Sequence, residues 1–535
     1  MREKLKDVNY LYLFLTATVS FLWFVRNLGT AYDWPATDII PMINRYFDSS
    51  YLLNDFFTNA SSNEPNPRWP FVYLIAGLAD LLGINWYVVL YALKILMIVM
   101  TPVLYYLVIY FIAGKYIKDK ENLRKGQLFI FLAVCAVIYP PVAGYFSIAW
   151  WSPFFIQATP QSLALFLGLA AIVVKELNGK YSNYVAVILF IAATLMHFAN
   201  GLFMIVFQSL INYKDLRSDY KYYISTYLFG FILTAAFIKV FLGPKTLLST
   251  ADFIDIYCLK THPFHYHFSE FQSLSPFSWV FSFWLMFAAL SVPILFFYKS
   301  GDRKLMVLSV VFLSSLILSV LFQYIFISVF QVKIIAAIGP VRFTQLIYWM
   351  IAILWASILS EMKFLHRFSP AINFKAPFIV AVFGYFVIGM LRMDAPTEDL
   401  FIQDKDVFEF IATTPKDAVF GGEYGEFSHS IQNIAKRPVF ITNAFPFNEG
   451  YFKEHLERTS LLFGGSIHEQ RMKGVSINDY YRKLLPEDFF KVSKKRKLDY
   501  VVVGKEFSAQ FSDYAPKFEN KKIRIYKVID FVKKK

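Results

Sequence analysis

Cysteine is nearly missing from this chain. Of 535 residues only Cys135, in an apolar run, and Cys258, in a polar stretch, carry a thiol, which excludes a disulfide framework. Charge is scarce too: Asp, Glu, Lys and Arg together make up 17% of the residues, against about a quarter in soluble domains. There is no G-x-x-x-x-G-K-[ST] loop, no G-x-G-x-x-G after a strand, no G-x-S-x-G and no kinase signature set. These absences argue against a nucleotide-driven pump. Paired charges in mid-span, which a proton-coupled transporter often carries, are also lacking. Asp80 and Lys94 come nearest, and Lys94 reads equally as a partner for an acidic residue and as a packing lysine. No internal repeat, low-complexity tract or heptad pattern occurs.

What is present is apolar and aromatic. Hydrophobic residues make up 57% of the chain, Phe alone numbers 59 and Tyr 34, and the mean hydropathy is +0.45. This is the composition of a membrane protein, with Tyr, Trp and Phe at lipid-facing and interfacial positions. A spanning helix needs roughly 20 apolar residues, fewer inside a bundle. On that rule about eleven spans are expected, near 9–27, 86–113, 127–142, 161–175, 183–197, 200–212, 222–243, 276–298, 305–330, 343–361 and 376–392. The charged start at 1–7 has no small-residue cleavage pattern behind it, so the first span reads as retained. The pair 183–197 and 200–212 is short and reads as a hairpin with His197 at its tip. The apolar stretch 70–83 is too short to span and carries Asp80, so it reads as an interfacial or re-entrant helix.

A net charge of +14 could mean nucleic acid, but its distribution says otherwise. With 70–83 kept outside, the inner loops hold 19 Lys and Arg and the outer loops 6. That positive-inside bias predicts a cytoplasmic N-terminus and, after an odd number of crossings, an extracytoplasmic C-terminal region. The expected domains are a transmembrane part, 1–394, whose outer loop 28–85 carries interfacial helices, and an α/β domain, 395–535. In the latter, 418–420, 438–442, 500–503 and 524–528 are β-rich, and DYVVVG at 499–504 reads as a strand covered on both faces. The basic patch KKRK at 494–497 reads as a solvated helix end, with anionic headgroups as the other option.

The segment AYDWPATDIIPMINRYFDSSYLLNDFFTNASSNEPNPRW, 31–69, organises the rest. It sets Asp33, Asp38, Asp48, Asp55 and Glu64 against only Arg45 and Arg68, between two apolar runs. Ionisable groups beside a bilayer are expensive and mark a pathway or a site. A carboxylate there can take a proton from a hydroxyl, while Thr37, Asp48, Ser49 and Asn54 read as plain helix caps. Arg68, Lys333 and Arg342 lie at outer helix ends, where an Arg suits a phosphate or simply snorkels to headgroups. The run THPFHYHFSE, 261–270, crowds His262, His265, His267 and Glu270. Those types suit a divalent metal, stacking in a sugar or lipid cleft, or a merely structural loop.

Several short motifs carry a family resemblance: YLLNDFFTN at 51–59 with Arg68 and the apolar 70–83 behind it, ATPQSLA at 158–164, LMHFANGL at 195–202 and IGPVRF at 338–343. In the tail, TTPKDAVF at 413–420, KRPVFIT at 436–442 and LDYVVVG at 498–504 fit the same layout. The chain resembles the GT-C superfamily of integral-membrane glycosyltransferases, closest to bacterial polytopic proteins with an extracytoplasmic C-terminal domain. The resemblance implies a mainly α, polytopic membrane protein of the bacterial inner membrane. It implies an acidic base in the first outer loop, Asp38 or Asp33, and a polyprenyl-phosphate sugar as donor. Asp55, Arg68, His197, His265 and Arg342 are the expected substrate contacts. No cofactor is required, although a divalent metal would be compatible. The expected partners are the lipid-linked sugar donor, membrane lipids and a glycan or lipid acceptor, with no nucleic acid. No compact Asp-Glu or Asp-Asp pair follows the first span, which leaves the choice of base open. A non-enzymatic scaffold or translocation component of envelope polysaccharide assembly is the rival reading, and a solute transporter a third.

Overall fold

The structure is a computed structural model. It describes residues 5–26, 38–63, 66–117, 119–138, 158–242, 248–266, 279–362, 384, 405–442, 444–446 and 448–532. Asp33, Glu64, His267, Glu270 and, apart from residue 384, the expected span 376–392 lie outside these residues.

Every expected span before 376–392 falls on a described helix, because long apolar runs have few ways to satisfy their backbone other than helix formation. Among the described residues, five helices are long and apolar enough to cross a membrane: Trp86–Tyr116, Tyr220–Lys239, Val280–Ser300, Arg303–Val329 and Lys333–Glu361. The last two are not uniform. Arg303–Gln323 passes into a π-turn, Tyr324–Val329, and Lys333–Ile338 is joined to Thr344–Glu361 by the 3-10 turn Pro340–Phe343. The expected hairpin is two helices, Ser182–Met196 and Phe198–Ile211, with His197 alone between them. Gly201 permits this: a Cβ there would stand 2.4 Å from the Thr194 Cα.

The chain divides into two compact units. The first comprises Met1–Pro35, Leu90–Phe237 and Phe264–Thr397; the second comprises Ala36–Val89, Ile238–Pro263 and Glu398–Lys535. In the first unit, Lys115 Nζ donates to Glu176, Asn212 and Asp215 at 2.7, 2.5 and 2.7 Å, tying four segments at one set of helix ends. Lys175 pairs with Asp219 at 2.6 Å beside it. Lys94 is buried, its Nζ 5.5 and 5.0 Å from the Phe24 and Tyr91 rings.

The second unit unites the acidic segment with the C-terminal region. The segment forms three helices, α1 (Ile40–Phe47), α2 (Phe56–Ser62) and α3 (Trp69–Leu82). The 14 residues of α3 reach about 21 Å, short of a hydrocarbon core of about 30 Å. It ends at Gly83 in the left-handed conformation that only glycine adopts without strain. The C-terminal part carries α4 (Lys405–Thr413), α5 (Glu426–Asn433), α6 (Phe452–Phe463) and α7 (Pro486–Lys495). They pack on a four-stranded sheet ordered β1-β2-β4-β3. Here β1 is Phe420–Gly421, β2 Tyr500–Gly504, β3 Phe518–Glu519 and β4 Ile523–Lys527. β1 runs parallel to β2 with Phe420 opposite Tyr500, and β2 antiparallel to β4 with Val502 opposite Ile525.

Alternation puts Val501 and Val503 into one core with Phe440, Leu462 and Phe489, and Val502 into another with Val407, Phe408 and Ile431. The sheet is therefore covered on both faces, as its apolar run requires. The expected strand at 438–442 contributes only a bridge, Val439 to Phe420. Its Val439 N–H, on the side away from β1, donates to the Asp55 side chain. Two residues of the KKRK patch pair with acids within the unit, Arg496 with Glu457 at 2.7 Å and Lys497 with Asp417 at 2.8 Å, while the exposed Lys494 lies 4.8 Å over Phe490.

Candidate functional site

The acidic segment folds around its few opposite charges. Arg45, at the end of α1, donates Nε to the Tyr51 carbonyl at 2.6 Å and Nη2 to the Leu52 carbonyl at 3.0 Å. It also reaches Asn59 at 3.1 Å and Asn63 at 3.3 Å on α2. Asp48 accepts from the Ser50 hydroxyl and N–H at 2.6 and 2.9 Å. Those bonds draw its carboxyl below the usual carboxylate range. Arg45 and Asp48 thus shape the loop.

Asp55 is set apart from the other acids. It is fully buried and caps α2 by accepting from the Thr58 N–H at 2.7 Å. Gln432 Nε2 on α5 donates to both of its oxygens at 2.9 Å, and the Val439 N–H donates at 2.9 Å. A carboxylate offers about four acceptor positions, and the protein fills them. Tyr51 adds a hydroxyl bond to the Gln432 carbonyl at 2.7 Å. Asp55, expected as a substrate contact, ties the first loop to the C-terminal sheet domain.

Asp38 stands differently. It precedes α1 and forms an ion pair with Arg68, the residue before α3. The side chains are 26% and 15% exposed, so the pair is sheltered yet reachable. Asn66 fixes Arg68 by accepting its N–H at 2.8 Å, and Trp69 Nε1 donates to the Ser61 carbonyl at 3.2 Å. Of the expected site residues in this unit, these two are the ones brought together.

A feature that composition did not reveal lies next to them on α2. Thr58 Oγ1, Ser61 Oγ, Ser62 Oγ and Asn66 Nδ2 are buried with no hydrogen-bond partner among the described residues. Elsewhere the hydroxyls of Thr16, Thr194, Ser209, Thr226, Ser309 and Ser357 bond back to the carbonyl four residues earlier. Those of α2 do not, although carbonyls of their own helix lie within the same reach. The spacing of Thr58, Ser61 and Ser62 on α2 was the available signal, since it places all three on one helical face.

The remaining expected residues, His197, His265 and Arg342, belong to the first unit. His197 accepts the Asn200 N–H at 3.2 Å and stacks on Phe198, the cap its hairpin position allows. His265 is buried, and its carbonyl accepts from Gln323 Nε2 at 3.0 Å. Arg342 lies 5.7 Å over the Tyr266 ring, whose hydroxyl donates to the Ala336 carbonyl at 2.7 Å. In the second unit His262 Nδ1 lies 2.9 Å from the Tyr257 carbonyl, and its ring is 4.8 Å from Phe445. Among the described residues no three His, Cys, Asp or Glu side chains stand together to hold a metal. His455, near His262 and Arg458, is buried and its pKa is pushed down to about 3, chiefly by burial and then by those two neighbours.

Neither a protein-family model nor a curated protein sequence matches the chain. Solved structures do. The apo oligosaccharyltransferase of Archaeoglobus fulgidus aligns with a TM-score of 0.50 and 11% identity, over 94% of this chain and 70% of that one. The same enzyme in complex with Zn and sulfate aligns at 0.49 and 12% identity, over 92% and 68%. ArnT from Cupriavidus metallidurans bound to undecaprenyl phosphate aligns at 0.38 and 11% identity, over 96% and 97%. Taken with its apolar helices, the chain is a multi-pass helical membrane protein with the GT-C fold.

Proposed function

We propose that the chain is a membrane glycosyltransferase that moves a sugar from a polyprenyl-phosphate donor to a glycan, lipid or protein acceptor. In this reading it works at the extracytoplasmic face of the bacterial inner membrane. Its N-terminus is cytoplasmic, and the domain 395–535 lies outside. The observation that carries it is the Asp38–Arg68 pair, a sheltered carboxylate and guanidinium in a segment that spanning does not require.

In this chemistry the acceptor hydroxyl oxygen attacks the anomeric carbon, and Asp38 takes its proton. The bond from that carbon to the phosphate oxygen breaks, and polyprenyl phosphate leaves with the electron pair. Arg68 orients Asp38 and meets the phosphate. The unpaired hydroxyls of Thr58, Ser61 and Ser62 are the kind of group that bonds sugar hydroxyls. Asp33 is the other candidate base. His197 and His265 are weaker candidates for substrate contact, since His197 already serves as a cap and the His265 residue is buried.

The test is mass spectrometry of lipid-linked sugars and surface glycans in a deletion strain. Loss of one glycan with build-up of its donor is expected, restored by the wild-type gene and not by Asp38→Asn at equal protein level. Restoration by both Asp38→Asn and Asp33→Asn would exclude the reading.

A further inference from the structure

At one end of the first unit the charges sort into engaged and free. The helices Pro160–Glu176 and Phe198–Ile211 end there, and Ser182–Met196 and Tyr220–Leu242 begin there. Three acids occur between residues 160 and 242, Glu176, Asp215 and Asp219, and all lie at this end. Lys115 takes the first two, at 2.7 Å each, and Lys175 the third, at 2.6 Å. Asp302, which lies near Lys214, is engaged as a helix cap and accepts the Lys304 and Leu305 N–H groups at 3.0 and 3.2 Å. Lys214 itself is held 4.2 Å over the Tyr116 ring. The cations that remain are Lys180, Arg217 and Lys221, all exposed and without an ion pair among the described residues. Each follows an engaged acid by two to four positions. The clamp that ties the helix ends therefore also sets the free cations on adjoining loops.

Two exposed apolar rows run from the same loops. On Ser182–Met196 the row is Tyr184 and Ile188, 72% and 63% exposed, and it continues from the exposed Tyr181 in the loop. On Tyr220–Leu242 it is Tyr220, Ile224 and Leu228, at 52%, 59% and 55%. Spacings of three and four keep each row on one helical face. In a multi-pass membrane protein such an exposed aliphatic row lies against lipid. Tyrosines stand at the charged end of both rows, and Lys180 Nζ is 5.2 Å over the Tyr181 ring. Tyr suits the depth of lipid headgroups, where one edge of the ring is wet and the other apolar. The free cations thus sit where hydrocarbon gives way to headgroups.

We propose that the loops at 177–181 and 212–221 hold the headgroup of an anionic phospholipid. Lys180, Arg217 and Lys221 meet its phosphate, and Tyr181, Tyr184 and Tyr220 lie beside its glycerol and upper acyl chains. Charge singles out the occupant. A positive-inside bias by itself leaves acids and bases mixed along a loop. Here the acids are bound inside, so three cations face outward without partners. A zwitterionic headgroup brings its own cation and gains little from them. A free phosphate or an acidic protein would match the charge, but not the tyrosines and aliphatic rows that continue from it. In the orientation proposed above this is the cytoplasmic leaflet. The site is independent of the sugar-transfer reading and belongs to a different unit from the Asp38–Arg68 pair.

The experiment uses the full-length protein in detergent, with lipid binding read by native mass spectrometry. The probes are phosphatidylglycerol, phosphatidylcholine, inorganic phosphate and poly-glutamate. Wild type should bind phosphatidylglycerol more tightly than phosphatidylcholine, and neither soluble anion should displace it at equal concentration. Lys180→Gln, Arg217→Gln and Lys221→Gln should each weaken phosphatidylglycerol about fivefold, and together about a hundredfold. Asp219→Asn removes one acid and should tighten it about fivefold, a gain that misfolding cannot mimic. Lys483→Gln, Lys495→Gln and Lys521→Gln together remove exposed cations of the C-terminal part. That control carries the same charge change and should bind as wild type does. Phosphatidylglycerol bound equally by the loop triple variant and wild type would overturn the site. So would an equal loss in the control, which would make the effect one of net charge, or phosphatidylcholine bound as tightly as phosphatidylglycerol. Displacement by inorganic phosphate or by poly-glutamate would overturn the lipid as occupant in favour of that soluble class.

Discussion

Gln432 donates one side-chain N–H group to both carboxylate oxygens of Asp55, 2.9 Å each, across 377 positions of the chain. Through this contact and the Val439 N–H, the loop that carries Asp38 is built into the same unit as the C-terminal sheet. Phe56 joins in, packing at 6.0 Å on Tyr451 and 4.6 Å under the Arg458 guanidinium.

Asp55→Ala should therefore lower stability by about 3 kcal/mol, since it strands the donors of Thr58, Gln432 and Val439 in a dry interior. Thermal melting in detergent reads the effect, together with protease cleavage near residues 50–60. Unchanged melting would show that water replaces the carboxylate.

Arg68→Lys keeps the charge beside Asp38 but removes the planar fork. Sugar transfer should fall about tenfold, and Asp38→Asn should cost about a hundredfold or more. Both follow from rates with the purified protein and a lipid-linked donor. Equal rates for Arg68→Lys and wild type would reduce Arg68 to a bare charge.

His455 gives the fold an acid limit. Its pKa is about 3 in the folded protein and 6.5 as the ordinary value. Above pH 6.5 neither state carries the proton, so nothing is lost. Below it the unfolded chain binds a proton that the buried ring refuses, and stability falls by about 1.4 kcal/mol per pH unit. His455→Phe should remove that part of the decline. Melting temperatures between pH 7 and pH 5 make the comparison, and identical slopes would contradict it.

Gly339 holds the turn before Arg342 at a φ of +65°, and a Cβ there would stand 3.0 Å from the Tyr266 hydroxyl and 3.2 Å from Arg342 Nε. Gly339→Ala should cost about 1 kcal/mol or more and unseat the Arg342–Tyr266 stack. Melting temperature reports on the cost, and a melting temperature equal to wild type would contradict it.

Much of the fold was legible in the residues because it rests on local quantities. Apolar run length sets where helices form, so the expected spans before 376–392 coincide with helices and the 14-residue α3 stays too short to cross. The run DYVVVG likewise announced a strand covered on both faces, and Val501, Val502 and Val503 enter the two cores in alternation. The run at 438–442 pairs with β1 through a single bridge, Val439 to Phe420, and the Val439 N–H, which points away from β1, is taken by Asp55 from the first loop, a partner no local pattern holds.

The carboxylates of the first loop show where reading from sequence ends. Asp38 and Asp55 look alike there, each beside aromatics or prolines in the same acidic stretch. Their difference lies in what reaches them: Arg68 from the same loop in one case, Gln432 and Val439 from the far end of the chain in the other. The sequence by itself determined that charges would be held beside apolar helices, because hydropathy and length act locally. Only the tertiary structure decided which carboxylate is buried under four hydrogen bonds and which stands partly exposed in an ion pair, because hydrogen bonds are short and their partners come from wherever the fold brings them.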